Sequence, residues 1–334
     1  MKPILLTILF SITCIIVNAQ QQFNIHNIHL PSPIEEANNQ FSGLYVQKGN
    51  LFFLSECRLQ ENAEAKLYSI KISDIDKQIK DSNYALPYQK ITIQNLNVLR
   101  NKIDATGKAY EGLEAMVVDG KNIYLSVETA TPVDNCYLLK GSLQDSTVIM
   151  DTSFLVTLPK PLQPNGSKVY NAGFEAMHIK NNTVILIYEY NNFNLESYTT
   201  SVDVKTKAVS YGRINNLPFR LTDVTQTSKN KYTVLNFFYK GGGDDEVYRV
   251  PQTDTSNYKL MFNQRGEYAS YARLVTGSYK NNTYTWQPLF TIPGKYAAYN
   301  WEGIAAHKNG YLIINDKYTD ARPYKTTLLY LQPL

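Results

Sequence analysis

One short phrase occurs five times in this chain. FSGLYV begins at Phe41, YEGLEAM at Tyr110, NAGFEAM at Asn171, RLTDVTQ at Arg220 and NWEGIAA at Asn300. About a dozen residues after each start comes an apolar run: LFFLSE to Glu56, IYLSVE to Glu128, VILIYE to Glu189, VLNFF around Asn236 and YLIIND to Asp316. A repeat of this kind means that one supersecondary unit is built several times and its copies stack, which settles architecture before composition does. Between the phrases lie short alternating segments, such as KLYSIKI from Lys66, ITIQNLNVL from Ile91, CYLLKGSL from Cys136, EVYRV from Glu246 and TTLLYLQ from Thr326. Asp119-Gly120, Asn165-Gly166 and Asn309-Gly310 punctuate them as turns. The starts are roughly fifty to eighty residues apart, room for a four-stranded antiparallel sheet and too much for one solenoid coil.

The sequence therefore predicts an all-β fold, a β-propeller of five blades with each first strand at a phrase. The long interval after the fourth phrase, holding YARLVTG and YTWQPLFTI, leaves room for a sixth blade. FNIHNIHL, from Phe23, is placed to complete the last blade, so residues 20–37 read as an N-terminal segment with a closing strand and 38–334 as the propeller. The one helical candidate is Asp74–Lys80. A length of 334 residues with 43% hydrophobic content permits one large β domain.

Residues 1–19 stand apart from that core. Lys2 gives a positive start, Ile4–Val17 is nearly all apolar, and Val17-Asn18-Ala19 ends on the small residue a signal peptidase needs. This predicts cleavage after Ala19 and a secreted or periplasmic protein, since a membrane anchor needs about 20 apolar residues. No other stretch is long and apolar enough for a membrane span. The formal charge of +4 falls to +3 without Lys2, too small and dispersed for nucleic acid. A monomer is expected. Cys57 and Cys136 remain after cleavage, either as a disulfide suited to an oxidising compartment or as two separate buried thiols.

In a propeller the first strand of each blade lines the axis and the second runs back beside it. The start of one and the end of the other then meet at a single face. That face collects Ser42, Glu111 and Glu302 from strand-one entrances and Glu56, Glu128, Glu189 and Asp316 from strand-two exits, with Glu114, Glu175 and Asp223 deeper in. Carboxylates so gathered raise one another's pKa and call for a hard cation, basic partners or shared protons. Ca²⁺ suits a mixed oxygen ring, with Ser42, Glu111, Glu114, Glu175, Asp223 and Glu302 as candidate ligands. Arg58, Arg220 and Lys317 are candidate counter-ions or grips for a small anionic substrate. Glu128, Glu189 and Asp316 are the candidates for acid/base work. In the plain architectural alternative, glycines relieve crowding near the axis and the acids satisfy backbone N–H groups. Nucleophile-elbow, zinc and phosphate-loop motifs are absent from the sequence. His178 and His307 fall at the far end of strand one and read as structural, and Gly241–Glu246 reads as a hairpin turn.

GKAYEGLEAMVVDGKNIYLSVE, from Gly107, resembles the glycine-phenylalanine-glutamate-glycine-leucine phrase of the esterase-like phytase and SdiA-regulated families of secreted or periplasmic propellers. FSGLYVQKGNLFFLSE is similar to their opening blade and NWEGIAAHKNGYLIINDKY to their closing one. The resemblance spans residues 38 to 334 and implies hydrolysis of phosphate esters or a regulated periplasmic role. Ser42, Glu111, Glu302 and Asp316 correspond to its pattern, whereas Glu175 follows its glycine instead of preceding it. A calcium-dependent nucleotidase propeller is also similar in its five blades and axial acidic ring. Two classes of function are thus expected: a metal-dependent hydrolase, or a non-enzymatic binding propeller with a structural cation.

Overall fold

The computed structural model describes residues 21–192, 197–241, 243–316 and 325–334. Strand β1 (Phe23–Ile28) is first in the chain and last to find its partner. The next four strands, β2 (Phe41–Gln47), β3 (Asn50–Ser55), β4 (Lys66–Lys71) and β5 (Gln89–Gln94), pair antiparallel in sequence order. The same meander recurs in β6 (Tyr110–Asp119), β7 (Asn122–Thr129), β8 (Asn135–Gln144) and β9 (Thr147–Pro159). It recurs in β10 (Ala176–Lys180), β11 (Thr183–Ile187), β12 (Ser197–Asp203) and β13 (Val209–Ile214). A fourth unit is β14 (Arg220–Ser228), β15 (Lys231–Phe238), β16 (Tyr271–Lys280) and β17 (Thr283–Thr291). The last is β18 (Asn300–His307), β19 (Gly310–Asp316) and β20 (Leu328–Pro333), and β1 adds itself to β20 as the outer strand.

These units close on themselves through their first strands. β2 packs on β6, β6 on β10, β10 on β14, β14 on β18, and β18 back on β2. Among the described residues the ring therefore has five members. YARLVTG and YTWQPLFTI are the outer strands of the fourth blade, so that interval holds no sixth sheet. Short parallel pairings, β5 with β9 and β13 with β17, tie the outer edges of neighbouring blades.

The repeated phrase has a local cause. In four blades the register between strands one and two slips by one residue at the phrase, between Phe41 and Gly43, Tyr110 and Gly112, Leu221 and Asp223, and Trp301 and Gly303. Each slip is a β-bulge whose extra residue (Ser42, Glu111, Thr222 or Glu302) has no partner across the ladder, and such a bulge bends the strand and re-aims a side chain. The third blade differs: Asn171–Glu175 is irregular and its first strand begins only at Ala176.

The blades are bracketed by groups from these positions. Ser42 Oγ donates to the Leu113 carbonyl at 2.6 Å, and Thr222 Oγ1 to the Trp301 carbonyl at 2.8 Å. Asp223 accepts from the backbone N–H of Val224 (2.7 Å), Ile304 (2.8 Å) and Leu44 (3.3 Å), joining three blades. Gly303 shows the crowding at first hand, since a Cβ there would lie 2.7 Å from Ile314 Cγ2 and 3.0 Å from the Gly43 backbone carbon. Gly303→Ala is expected to lower stability by about 1–3 kcal/mol through overpacking, measured by denaturant melts. Gly43→Ala, with no contact closer than 3.8 Å, is expected to cost less.

Two segments depart from the sequence expectation. A helix forms at Ile72–Lys80 as its pattern suggests, but a second helix, Leu96–Ile103, interrupts what reads as one long strand from Ile91. It buries Leu96, Leu99 and Ile103, the spacing of one helical face. EVYRV is not a strand, nor is the preceding glycine-rich run a hairpin turn. Gly243–Tyr248 is a 3₁₀ segment within a long insertion joining β15 to β16. Val247, Tyr248 and Val250 pack from that insertion into the core, which accounts for their alternating apolar character.

Candidate functional site

At the face where strand one begins, the backbone fixes the carboxylates before their side chains meet. Leu113 N–H donates across the blade boundary to the Glu56 carbonyl at 2.7 Å, and Leu221 N–H to the Glu189 carbonyl at 2.9 Å. Glu128 pairs with Gly112 in the ladder. The glycines leave room for acids. A Cβ on Gly112 would come 3.1 Å from Glu114 Oε1 and 3.3 Å from Glu56 Cβ, and one on Gly173 would come 3.2 Å from Glu128 Cβ and 3.6 Å from Glu114 Cγ. Glu56, Glu114 and Glu128 thus stand side by side across the first two blades, with Gly173 of the third against them.

Their electrostatics follow from burial and from one another. Burial first, then Asp316 and Glu128, push the Glu56 carboxyl up to about 8 against the opposing pull of Arg58. Burial, Glu189 and Glu111 do the same to Glu128, also to about 8, with Lys160 and Arg220 opposing. Glu114, Glu175 and Glu302 are held well above the carboxylate range by burial and by their acidic neighbours. Glu114, Glu128 and Glu175 are buried, and among the described residues their carboxylates have neither an ion pair nor a hydrogen bond. Glu128 Oε1 is sealed from solvent without a partner. An orphaned, buried carboxyl oxygen among further acids suits a hard cation, which would take the place of the proton that burial otherwise favours. No three acidic, histidine or cysteine side chains among the described residues already stand in ligating geometry, so an ion held here would keep water in its shell, as Ca²⁺ and Mg²⁺ do.

The other side of the mouth is paired. Glu189 is fully buried, its Oε1 lies 3.1 Å from Arg220 Nη1, and its Oε2 accepts from the Tyr248 hydroxyl. The Arg220 guanidinium rests 4.8 Å from the Tyr248 ring centre. Arg58 spans Glu56 Oε2 (3.3 Å) and Glu61 Oε1 (2.9 Å). Asp316 is buried and receives Asn300 Nδ2 at 3.4 Å.

The structure therefore brings Glu114, Glu128, Glu175, Glu302 and Asp316 into one electrostatic cluster with Glu56 and Glu111, and brings Arg58 and Arg220 to its edge. Ser42 and Asp223 also tie the blades together: the Ser42 hydroxyl donates to the Leu113 carbonyl, and both Asp223 oxygens accept from backbone N–H groups. Glu189 is paired with Arg220 and Tyr248. Lys317 lies outside the described residues, as do residues 1–19, for which a leader is expected.

Two participants escape the sequence, whereas Glu56 is reached as a strand-two acid. Lys160 arrives from a connection, buried, with Nζ donating to the Thr129 carbonyl (2.6 Å) and the Ala130 carbonyl (3.2 Å) near Glu128. Tyr248 comes from the insertion, which belongs to no repeat. Cys57 and Cys136 are separate buried thiols, each pushed by burial up to about 12, not a disulfide. His178 is neutral, lowered to about 3 by burial, with Nε2 against the Tyr284 hydroxyl. His307 pairs with Asp76 at 2.8 Å at the far end of strand one.

No protein family matches the sequence, and no curated protein matches it significantly. Among solved structures the chain is similar to an α-L-arabinofuranosidase from Podospora anserina in complex with cellotriose, at 11% identity over 93% of this chain and 96% of that one, TM-score 0.45. It is similar to a putative oxidoreductase (glucose dehydrogenase) from Thermus thermophilus, at 8% identity over 92% and 99%, TM-score 0.46. An α-L-arabinofuranosidase from Clostridium thermocellum gives 11% identity over 83% and 81%, TM-score 0.46. Likenesses this low carry no argument about chemistry, and the β-propeller assignment rests on the strand pairing and the closed ring of first strands.

Proposed function

We propose that the acidic mouth binds a divalent cation, Ca²⁺ by the chemistry of its oxygens, and acts with it on a small anionic substrate, a phosphate ester. The observation that carries this reading is the unpaired set Glu114, Glu128 and Glu175, with the sealed Glu128 Oε1 at its centre. Purely architectural acids would be expected to end on backbone N–H groups, as Asp223 does. Glu56, Glu111, Glu302 and Asp316 complete the set that would hold the ion, which supplies charge neutralisation and polarisation of a phosphoryl oxygen. Arg58 and Arg220 at the edge would orient the anion. With a cation beside it to keep it ionised, Glu128 would take the proton of an attacking water. The N-terminal leader would deliver the protein outside the cytoplasm, where weak Ca²⁺ sites fill.

Glu128→Gln keeps the shape and removes the base. It is expected to lower Ca²⁺-dependent turnover by about 10²–10⁴-fold with the fold intact, measured on a phosphomonoester and phosphodiester panel. The second reading, a binding propeller with a structural cation, is favoured by the commitment of Glu189 to Arg220 and Tyr248. It predicts Ca²⁺-dependent melting with no turnover across the same panel.

A further inference from the structure

Two arginines border the mouth, and their surroundings differ in kind. Arg58 donates Nε–H to Glu61 and meets Glu56 through Nη1, so two carboxylates surround its charge. Arg220 meets one carboxylate, Glu189, through Nη1, and one face of its plane lies on the Tyr248 ring. Nε–H and the adjacent Nη2–H form the other in-plane edge of a guanidinium, two parallel donors matched to two oxygens of a carboxylate or phosphate. Among the described residues neither Nε–H nor Nη2–H of Arg220 has an ion pair or a hydrogen bond, and Glu175 and Glu302 act on it through their charge. With one edge tied, one face stacked and a fifth of the side chain exposed, the guanidinium is held but not used up.

We propose that the free edge of Arg220 is an oxyanion subsite, taking two oxygens of a phosphoryl group, and that Glu189 and Tyr248 are its positioning residues. The inference rests on the acidic mouth being the place where a small anion enters, and it assigns what that reading leaves open: which arginine grips and what aims it. Tyr248 does two jobs. Its hydroxyl occupies Glu189 Oε2, which keeps that carboxylate from pairing with both edges of the guanidinium, and its ring fixes the plane. Glu175 and Glu302 lie nearby, so the anion is expected to bind more tightly when a cation offsets their charge. Sulfate and carboxylates share the two-oxygen chemistry and separate a phosphoryl preference from a general anion site.

The test is calorimetric titration of the full mature protein with inorganic phosphate, sulfate and acetate, in Ca²⁺ and in chelator. Phosphate is expected to bind the wild type more tightly than acetate. Arg220→Ala is expected to weaken it about tenfold or more, and added guanidinium is expected to restore part of the loss, which a merely structural residue would not show. Tyr248→Phe, which keeps the ring, is expected to weaken phosphate severalfold while melting stays cooperative. It serves as the probe if Arg220→Ala does not fold. Unchanged phosphate affinity in both variants, no phosphate binding in either condition, or binding of acetate as tight as phosphate overturns the proposal. Phosphate binding through Arg220 without Ca²⁺ binding would retain the subsite and sink the cation reading, and Ca²⁺ binding without phosphate binding would do the reverse.

Discussion

In chelator, the protein is expected to melt at progressively lower temperature as the pH is raised from about 5 to about 9, and saturating Ca²⁺ is expected to flatten that slope. Glu56 and Glu128 are raised to about 8 in the folded state, against about 4.3 in an unfolded chain. Below the unfolded value both states carry the proton, and stability is complete. Between the two values the unfolded chain ionises while the folded one keeps its protons, so each group removes up to about 1.4 kcal/mol per pH unit. Above about 8 the folded groups ionise as well and their share of the loss levels off, while Glu114, Glu175 and Glu302, also held well above the carboxylate range, act in the same direction. A few kcal/mol in a domain of this size is on the order of 5–10 °C in Tm. A cation that takes the place of the protons couples its affinity to pH and abolishes the dependence. Melting in chelator that does not vary with pH would show that the mouth is wetter or better paired than its geometry indicates.

Deleting residues 20–30 is expected to abolish cooperative folding, a larger effect than any single substitution. β1 is the outer strand of the last blade and pairs with β20 from Phe23–Pro333 to Ile28–Leu328. Ile28 and Leu30 are buried with Leu328 and Tyr330, and the Phe23 ring sits 4.6 Å from that of Phe290 in the neighbouring blade. Two buried aliphatic side chains contribute about 2 kcal/mol each, and the lost ladder and unpaired β20 edge add to that. The sum rivals the ~5–15 kcal/mol that holds a typical domain together. Circular dichroism melts of the truncated chain check this, and supplying the missing strand as a separate peptide is expected to restore part of the transition. A truncated chain melting within a few degrees of the full one would mean that the remaining four blades and the three-stranded fifth are self-sufficient.

The architecture was legible because a bulge leaves a sequence trace. An extra residue followed by a glycine marks the bulge in three blades, and the looser phrases at Asn171 and Arg220 keep enough of the pattern that the five together located the blades. The second-strand acids were legible for the same reason, their place being set by pairing to that bulge. The roles at the mouth were less so. Ser42 and Glu111 occupy equivalent positions, yet the short hydroxyl reaches the neighbouring carbonyl whereas Glu111 acts on Glu128 through its charge. Asp223 looks like another inner acid, but the slip at Leu221 sets it against three backbone N–H groups. Tyr248 and Lys160 come from connections, where no period exists to mark them. The helix at Leu96–Ile103 was hidden because its apolar spacing follows without a break from the alternating ITIQ.

The extra residue of each bulge answers to no partner across its own sheet, so the ladder leaves its identity open, and as Ser42 or Thr222 it ties the next blade instead. Serine, glutamate, threonine and glutamate already occupy it on four vanes of one scaffold. A rotor of this build can exchange the groups at its hub one vane at a time while its hydrogen-bonded frame stays fixed, and substitutions at Glu111 or Glu302 are where its selectivity can be retuned at least expense to folding.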